Sequence, residues 1–473
     1  MINASTRCSR STHLLYIPLL GLLLSLFMAI PGAPASTDEA RSLIEDTCSS
    51  CHRFEGEGKS RFLLKAPDLM WGGSKYQRTW LINWLTGKEA PLYAKGYRWD
   101  QQQQAIKHPV VSPPQAAAIA DYFEQHLVDK RVEAGVFDLA TVTRQDVAFG
   151  AQLYVEHACI GCHQIEQNGK LVGAPQSANL AHAGKRYNVD WLYRFAVNPQ
   201  DFTPHSGEFL ADVSGLGLHY IVAYVASLGV DNFPFYEPWT SAEFNNASVE
   251  RGQVIYKEYC SQCHGASGQG DGPAADALTP RPAVHANIPF DQLPTEYLYN
   301  VIYHGGRSVG KSTNMPYWGL TIGQQGTADV IAYLKATFKG PSTAVAGAAA
   351  AGAVCPQPRK TPSAPKAFLE LKNPLPASES HIAAGAKLFH ESASPLACAQ
   401  CHGDKGDGLG VMASALDPRP RNFTCKTMMQ EIADGQLFWI IKNGAEGTGM
   451  MAFTSLADEQ VWQLVHYIRT LAK

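Results

Sequence analysis

One pentapeptide occurs four times in this chain of 473 residues. Its copies read CSSCH at 48–52, CIGCH at 159–163, CSQCH at 260–264 and CAQCH at 398–402. The first cysteines of successive copies are 111, 101 and 138 residues apart. Because about 100 residues is the size of a small domain, this spacing predicts a tandem array of four small domains rather than one large core.

The pattern C-x-x-C-H is compatible with three kinds of chemistry. A zinc site would need a second pair of ligands at short spacing, and none follows any copy. A thioredoxin-like dithiol would need a strand–helix–strand context, which no copy has. The pattern therefore predicts four covalently bound haem c groups, in which both sulfurs bind the haem vinyl groups and the histidine binds the iron. The predicted attachment cysteines are Cys48, Cys51, Cys159, Cys162, Cys260, Cys263, Cys398 and Cys401, and the predicted proximal iron ligands are His52, His163, His264 and His402.

Each copy lies between two helix-like segments. The segments before the motifs read DEARSLIEDTC, FGAQLYVEHAC, RGQVIYKEYC and AGAKLFHESASPLAC, and three of them carry a glycine four residues before an aromatic residue. Those glycines are Gly150, Gly252 and Gly385. The segment that closes each unit has apolar residues three and four apart, as an amphipathic helix does. We therefore expect an all-α fold in which the small glycine lets the two helices cross closely.

The predicted domains span 36–135, 140–235, 243–338 and 377–473, and are called units 1 to 4 below. Residues 339–376 between units 3 and 4 are rich in alanine and proline, which predicts a linker. Two cysteines outside the motifs, Cys355 in this linker and Cys425 in unit 4, could form a disulfide or remain free thiols.

Residues 1–35 have the pattern of an export signal. Two arginines precede a mainly apolar run at 14–30, and Ala-Pro-Ala at 33–35 is a small-residue cleavage pattern. We expect cleavage and a periplasmic protein. The alternative is an uncleaved anchor, in which case the protein would contact a membrane. The formal net charge of −3 gives no indication of a nucleic-acid partner.

The order of signals in each unit resembles a class I cytochrome c domain: a glycine-aromatic entry helix, C-x-x-C-H, a proline loop, a distal ligand and an aromatic-bearing closing helix. The resemblance covers nearly the whole chain after residue 35 except the linker. It implies an all-α fold with one haem per unit, and electron transfer rather than bond-making chemistry. It also implies that a proline carbonyl orients each proximal histidine, and the matching prolines are Pro67, Pro175, Pro280 and Pro418.

In units 3 and 4 the resemblance implies a distal methionine before the closing helix. Met315 in STNMPYW has the family's Met-Pro followed by an aromatic residue. Met450 in GTGMMAF has the same register, with Phe453 at the position of Trp318. Met451 replaces the proline and remains an alternative ligand.

Units 1 and 2 lack a methionine at that position. His108, which precedes a proline, and His205 are the predicted distal ligands, so we expect bis-histidine haems; Met70, His182 and His219 are the alternatives. The two units also share a segment of their own, KYQRTWL at 75–81 and RYNVDWL at 186–192.

The predicted ligand types imply a direction for electron transfer. Histidine–methionine haems generally have higher reduction potentials than bis-histidine haems. We expect electrons to pass from units 1 and 2 to units 3 and 4, between an upstream dehydrogenase or quinol oxidase and a downstream reductase or oxidase. The alternative function is that of a cytochrome subunit or haem enzyme, of the peroxidase or reductase type, with one iron accessible to a substrate.

Residues 305–312, GGRSVGKS, match the phosphate-loop pattern G-x-x-x-x-G-K-[ST]. A nucleotide site would need a strand before this loop and a helix after it, whereas Pro316 follows within a turn. We interpret the segment as a flexible approach to the haem. Arg281 and Arg419, which share a Pro-Arg-Pro motif, are candidates for pairing with haem propionates.

Overall fold

The computed structural model describes residues 37–89, 93, 97, 107–167, 169–206, 213–340, 354–358, 361–393, 396–416 and 418–472. The predicted export signal and much of the predicted linker lie outside these residues. In the part of the chain that is described, no helix is both long and apolar enough to cross a membrane.

The described chain is mainly helical, in agreement with the expected class. Its α-helices are α1 Thr37–Leu43, α2 Gly72–Lys75, α3 Arg78–Leu85, α4 Pro113–His126, α5 Arg144–Glu156, α6 Ala183–Arg186, α7 Val189–Val197, α8 Gly215–Ser227, α9 Ala242–Asn245, α10 Val249–Ile255, α11 Ser261–His264, α12 Thr295–Tyr303, α13 Gly319–Thr337, α14 Lys366–Leu369, α15 Glu379–Lys387, α16 Ala399–His402, α17 Lys426–Glu431, α18 Asp434–Asn443 and α19 Asp458–Leu471. Five-residue π turns, Ile44–Cys48, Tyr256–Cys260 and Leu388–Ser392, follow α1, α10 and α15.

A small antiparallel hairpin in unit 2 was not expected from the sequence. Its strands are β1 Ile165–Gln167 and β2 Lys170–Val172. The sequence Asn-Gly at 168–169 joins them, and Gly169 has a φ of +71°, a conformation that favours glycine in tight hairpin turns.

The entry helix of each unit packs against its closing helix, as α1 does on α4, α5 on α8, α10 on α13, and α15 on α19. A Cβ atom added at Gly150, Gly252 or Gly385 would overlap a backbone carbonyl oxygen of the closing helix. The expected role of these glycines in a close helix crossing is therefore confirmed. Unit 1 has the buried Ala40 at the equivalent position.

The units associate in two pairs. One hydrophobic cluster includes side chains of both unit 1 and unit 2, which we call the N-terminal pair. A second and larger cluster includes side chains of both unit 3 and unit 4, the C-terminal pair. Each pair therefore shares buried apolar surface between its members.

The N-terminal pair is joined through the segment that its two units share. Tyr76 and Tyr187 form an antiparallel bridge with their rings stacked 5.9 Å apart. Two backbone hydrogen bonds flank the bridge: Gln77 donates to Arg186 (2.8 Å) and Asn188 donates to Lys75 (3.0 Å). Because equivalent residues of the two copies exchange equivalent bonds, the contact has approximate twofold symmetry.

In the C-terminal pair, a disulfide attaches the linker to unit 4. Cys355 and Cys425 form this bond with their Cα atoms 5.5 Å apart, which decides between the two states that the sequence left open. Gln357 strengthens the attachment, since its side chain donates to the Pro420 carbonyl (3.1 Å) and accepts from the Asn422 amide (2.7 Å).

The two pairs meet at a polar and aromatic contact between units 2 and 3. Arg307 and Glu156 form an exposed ion pair of 3.3 Å. The Phe149 and His304 rings are 5.8 Å apart, edge to face.

Candidate haem-binding sites

The histidines of all four motifs are held in the same way. Each donates its Nδ1–H to a backbone carbonyl downstream: His52 to Pro67 (2.7 Å), His163 to Ala178 (2.8 Å), His264 to Ala283 (2.9 Å) and His402 to Arg421 (2.9 Å). The spacing from histidine to acceptor is 15 residues in units 1 and 2 and 19 in units 3 and 4. This bond sets the tautomer and directs Nε2 away from the loop, as a metal-binding imidazole requires.

The predicted acceptor is right in unit 1 and wrong in the other three units. In each of those the carbonyl belongs to the third residue after the proline that the sequence indicated: Pro175, Pro280 and Pro418 are not the acceptors. The prolines shape the loop, but the carbonyl nearest the ring is set by where the chain turns back toward the motif. The number of residues between the motif histidine and its acceptor is the same in both units of a pair. This regularity was the signal in the sequence that would have identified the acceptors.

Burial favours the neutral form of three motif histidines, His52, His264 and His402. It lowers the pKa of His402 to about 4, against the opposing effect of the Arg421 carbonyl, and it also lowers the pKa values of His52 and His264. Burial raises the pKa of Cys260 and of Cys398 to about 12. Neutral imidazoles in apolar pockets suit an iron ligand.

In unit 1, His108 lies opposite the motif histidine. The rings of His52 and His108 are 6.2 Å apart between centroids. Since a metal–imidazole bond is about 2 Å long, two rings on opposite sides of one metal ion have centroids about 6 Å apart. The Nδ1–H of His108 donates to the Pro109 carbonyl (2.9 Å), so its Nε2 is the nitrogen left for a metal. The placement fits the predicted pair of ligands.

In unit 2 the described residues give no such pair. His205 is exposed, in a turn with a φ of +61°, and residues 207–212 that follow it lie outside the description. His219 stacks on Phe137 with centroids 4.8 Å apart, and His182 is exposed. The distal ligand of unit 2 stays a prediction.

In unit 3 the predicted ligands line one apolar cavity. Cys260, Cys263, His264 and Met315 surround this cavity of about 200 Å³. It is lined mainly by aliphatic and aromatic side chains, and Met315 is partly buried against the hydrophobic cluster. Two thiols, an imidazole and a thioether around an apolar cavity are the donor set that a covalent haem requires.

The unit 4 cavity is larger, about 750 Å³, and the linker residues Val354, Pro356, Gln357 and Pro358 form part of its wall. Cys398, Cys401 and His402 line it, and so do both Met450 and Met451.

The backbone distinguishes the two methionines of unit 4. Met450 accepts a hydrogen bond from the Ala445 amide (3.0 Å), as Met315 accepts from the Gly306 amide (2.9 Å). The backbone amides of Phe453 and Trp318, each three residues after its methionine, both donate to a carbonyl of the preceding helix. Met450 therefore occupies the position of Met315, whereas the Met451 side chain is packed in the core.

A ring beside the proximal histidine was missed at the sequence level. His285 stacks on His264 with centroids 3.8 Å apart, and Phe423 stacks on His402 at 4.4 Å. Both residues lie 21 positions after the motif histidine. Tyr256 Oη lies 3.0 Å from Nδ1 of His285, within hydrogen-bonding distance. If the alignment of LTPRP with LDPRP is continued by a few residues, it pairs His285 with Phe423, and this was the signal available in the sequence.

The cavities of units 3 and 4 share a wall. Leu416, Thr448 and Gly449 of unit 4 line both. Groups bound in the two cavities would thus be separated by one layer of side chains.

Comparisons with known proteins agree with this geometry in the C-terminal pair. Residues 247–334 match the family model described as cytochrome c oxidase, cbb3-type, subunit III, and residues 382–472 match that of cytochrome c. No curated protein matches the chain. The chain thus contains two cytochrome c domains, and a multihaem c-type cytochrome with a role in electron transfer is supported.

One solved structure with a match is titled "Kuenenia stuttgartiensis reducing HAO-like protein complex Kustc0457/Kustc0458". The match has 29% identity and covers 48% of this chain and 97% of that one. Its TM-score is 0.20, so nothing is inferred from it.

Proposed function

We propose that the chain is a periplasmic electron-transfer protein that carries four covalently bound haem c groups, one in each unit. Bound haem would supply one-electron chemistry at its iron. The single observation that carries the proposal is the identical arrangement of all four motif histidines, each donating Nδ1–H to a carbonyl 15 or 19 residues downstream. Such a bond is typical of metal-binding histidines.

The proposed distal ligands are His108, His205, Met315 and Met450. With these ligands, electrons pass from the N-terminal pair to the C-terminal pair, because thioether ligation favours the reduced iron. The position of His108 opposite His52 and the cavities that contain Met315 and Met450 support this order. An upstream dehydrogenase or quinol oxidase would supply the electrons, and a downstream reductase or oxidase would accept them.

Haem stoichiometry tests the proposal. The mass of the purified chain should include four haems. Replacing both motif cysteines of one unit by serine, for example Cys48→Ser with Cys51→Ser, should remove one haem and leave three. The matched control is Cys355→Ser with Cys425→Ser, which changes two cysteines of a disulfide and should keep all four. A wild-type chain with fewer than four haems contradicts the proposal.

A second candidate function is a haem enzyme with one open iron site. Unit 2 favours it, because His205, its predicted distal ligand, is exposed. Carbon monoxide distinguishes the two functions. The electron carrier should not bind it at neutral pH after reduction, whereas stoichiometric binding at one haem would support the enzyme.

A further inference from the structure

The segment that matches a phosphate loop has a different role in the structure. Gly306–Val309 forms a short 3-10 helix, α12 precedes it, and α13 begins only at Gly319. From Gly305 to Met315 the loop is four residues longer than the equivalent loop from Gly444 to Met450. The longer loop brings Lys311 into the unit 3 cavity.

This loop also touches unit 4. A Cβ atom at Gly310 would overlap the backbone of Ala452, two residues beyond Met450. Lys311 follows directly and is anchored by its amide, which donates to the Gly306 carbonyl (2.8 Å). The lysine is thus held where the two units of the C-terminal pair meet.

Lys311 brings a positive charge to a cavity without carboxylates. None of the described residues that line the cavity is Asp or Glu, and no ion pair of Lys311 occurs in the described chain. The ammonium lies 5.7 Å from the centre of the Tyr297 ring. Burial lowers the pKa of Lys311, but the opposing effects, first among them that of Tyr297, outweigh it, so the pKa of Lys311 is raised.

Arg281, the other cation on the cavity wall, is already neutralised. It forms an ion pair with Asp276, and both side chains are exposed. Lys311 is partly buried and hydrogen-bonds the Tyr297 side chain. An anion in this apolar cavity would stabilise its charge further. A haem brings two carboxylates, its propionates.

We propose that Lys311 binds a propionate of the haem in unit 3 and that its charge acts on the haems of both units 3 and 4. The inference rests on the proposed haems of these units. Unit 4 is included because Gly310, the residue before Lys311, meets the backbone of Ala452, two residues beyond Met450, and because unit 4 residues form part of the wall of the same cavity. The shared wall of Leu416, Thr448 and Gly449 separates the two cavities at this place.

The proposal predicts a change in two reduction potentials. Reduction adds an electron, so a nearby positive charge stabilises the reduced state. In the full, haem-loaded chain, Lys311→Met should lower the equilibrium constant for reduction in unit 3 about tenfold, which is about 59 mV for one electron. The equilibrium constant for reduction in unit 4 should fall less. In Lys311→Arg, which keeps the charge, both constants should stay near the wild-type values.

The matched control is Lys335→Met. Lys335 is a partly buried lysine of the same unit that donates to Thr295 Oγ1 (2.7 Å) and does not line the cavity. Its loss should change either equilibrium constant less than twofold. Potentials are assigned to units by the paramagnetic NMR signals of the haem methyl groups, and propionate contacts by the propionate bending mode in resonance Raman spectra.

Four intact haems with potentials that shift no more in Lys311→Met than in Lys335→Met would overturn this inference and leave the proposed function standing. A wild-type chain without haem in unit 3 would overturn both. If Lys311→Met fails to incorporate haem, Lys311→Gln replaces it: potentials below those of Lys311→Arg support the inference, and equal potentials overturn it.

Discussion

The N-terminal and C-terminal pairs are built from the same helical unit but joined in different ways. Units 1 and 2 meet through equivalent backbone segments around Tyr76 and Tyr187, in an approximately symmetric contact. Units 3 and 4 meet through the walls of their cavities, and a disulfide outside the motifs ties the linker between them to unit 4. A repeated unit therefore does not determine its own junction. Segments outside the pattern common to all four units, 75–81 with 186–192 in one pair and 305–312 in the other, make the difference.

The largest effect is expected from removal of the disulfide, which belongs to the C-terminal pair. Replacing Cys355 and Cys425 by alanine removes a bond that closes 70 residues of chain, and we expect a loss of about 2–5 kcal/mol in the stability of the C-terminal pair. Hydrogen exchange of peptides from 361–472 should accelerate, whereas peptides from 37–227 should be unchanged. Equal acceleration in both pairs would show that the pairs are not independent.

The next effect concerns the helix crossing within a unit. Gly385→Ala should destabilise unit 4 by about 1–3 kcal/mol, because the new Cβ overlaps the Gln463 carbonyl oxygen. Gly215→Ala in unit 2 is the control, since nothing lies within 4 Å of the added atom. Hydrogen exchange in α15 and α19 measures the difference, and similar behaviour of the two variants would contradict the close crossing.

A smaller effect tests the junction of the N-terminal pair. The Gln77 side chain donates to the Gly184 and Tyr187 carbonyls (2.7 and 2.8 Å). Gln77→Ala should cost about 1–2 kcal/mol, since two partly buried hydrogen bonds between units are lost. Exchange at the amides of α2 and α6 reports it. Gln463, a glutamine on the surface of α19, provides the control Gln463→Ala, which should leave that exchange unchanged.

The smallest effect is expected where the two pairs meet. Glu156→Gln removes one exposed ion pair with Arg307, worth less than about 1 kcal/mol and weakened by salt. Thermal unfolding of this variant and of the wild type should coincide at high ionic strength. A large difference that persists in salt would mean that the pairs are joined more firmly than this contact indicates.

The features that all four units share could be predicted from the sequence, whereas the features that differ between units could not. The four motifs, the entry and closing helices and the glycine crossings follow from short-range patterns, because residue spacing along a helix determines which side chains share a face. The equivalent backbone positions of Met450 and Met315 could also be predicted from their register with Phe453 and Trp318. By contrast, Ala178, Ala283 and Arg421 were missed as acceptors because a loop carbonyl is identified by the path of the chain, not by its residue type. The symmetric use of KYQRTWL and RYNVDWL, and the reach of Lys311 toward unit 4, depend on how whole units pack, which local patterns do not encode.

We propose that the two pairs differ in haem ligation and therefore in reduction potential. A redox titration followed by optical and EPR spectroscopy measures both properties. We expect four haems in two classes: two bis-histidine haems of lower potential, assigned to units 1 and 2, and two histidine–methionine haems of higher potential, assigned to units 3 and 4. Four haems with the same ligation or indistinguishable potentials, or methionine ligation in the N-terminal pair, would contradict it.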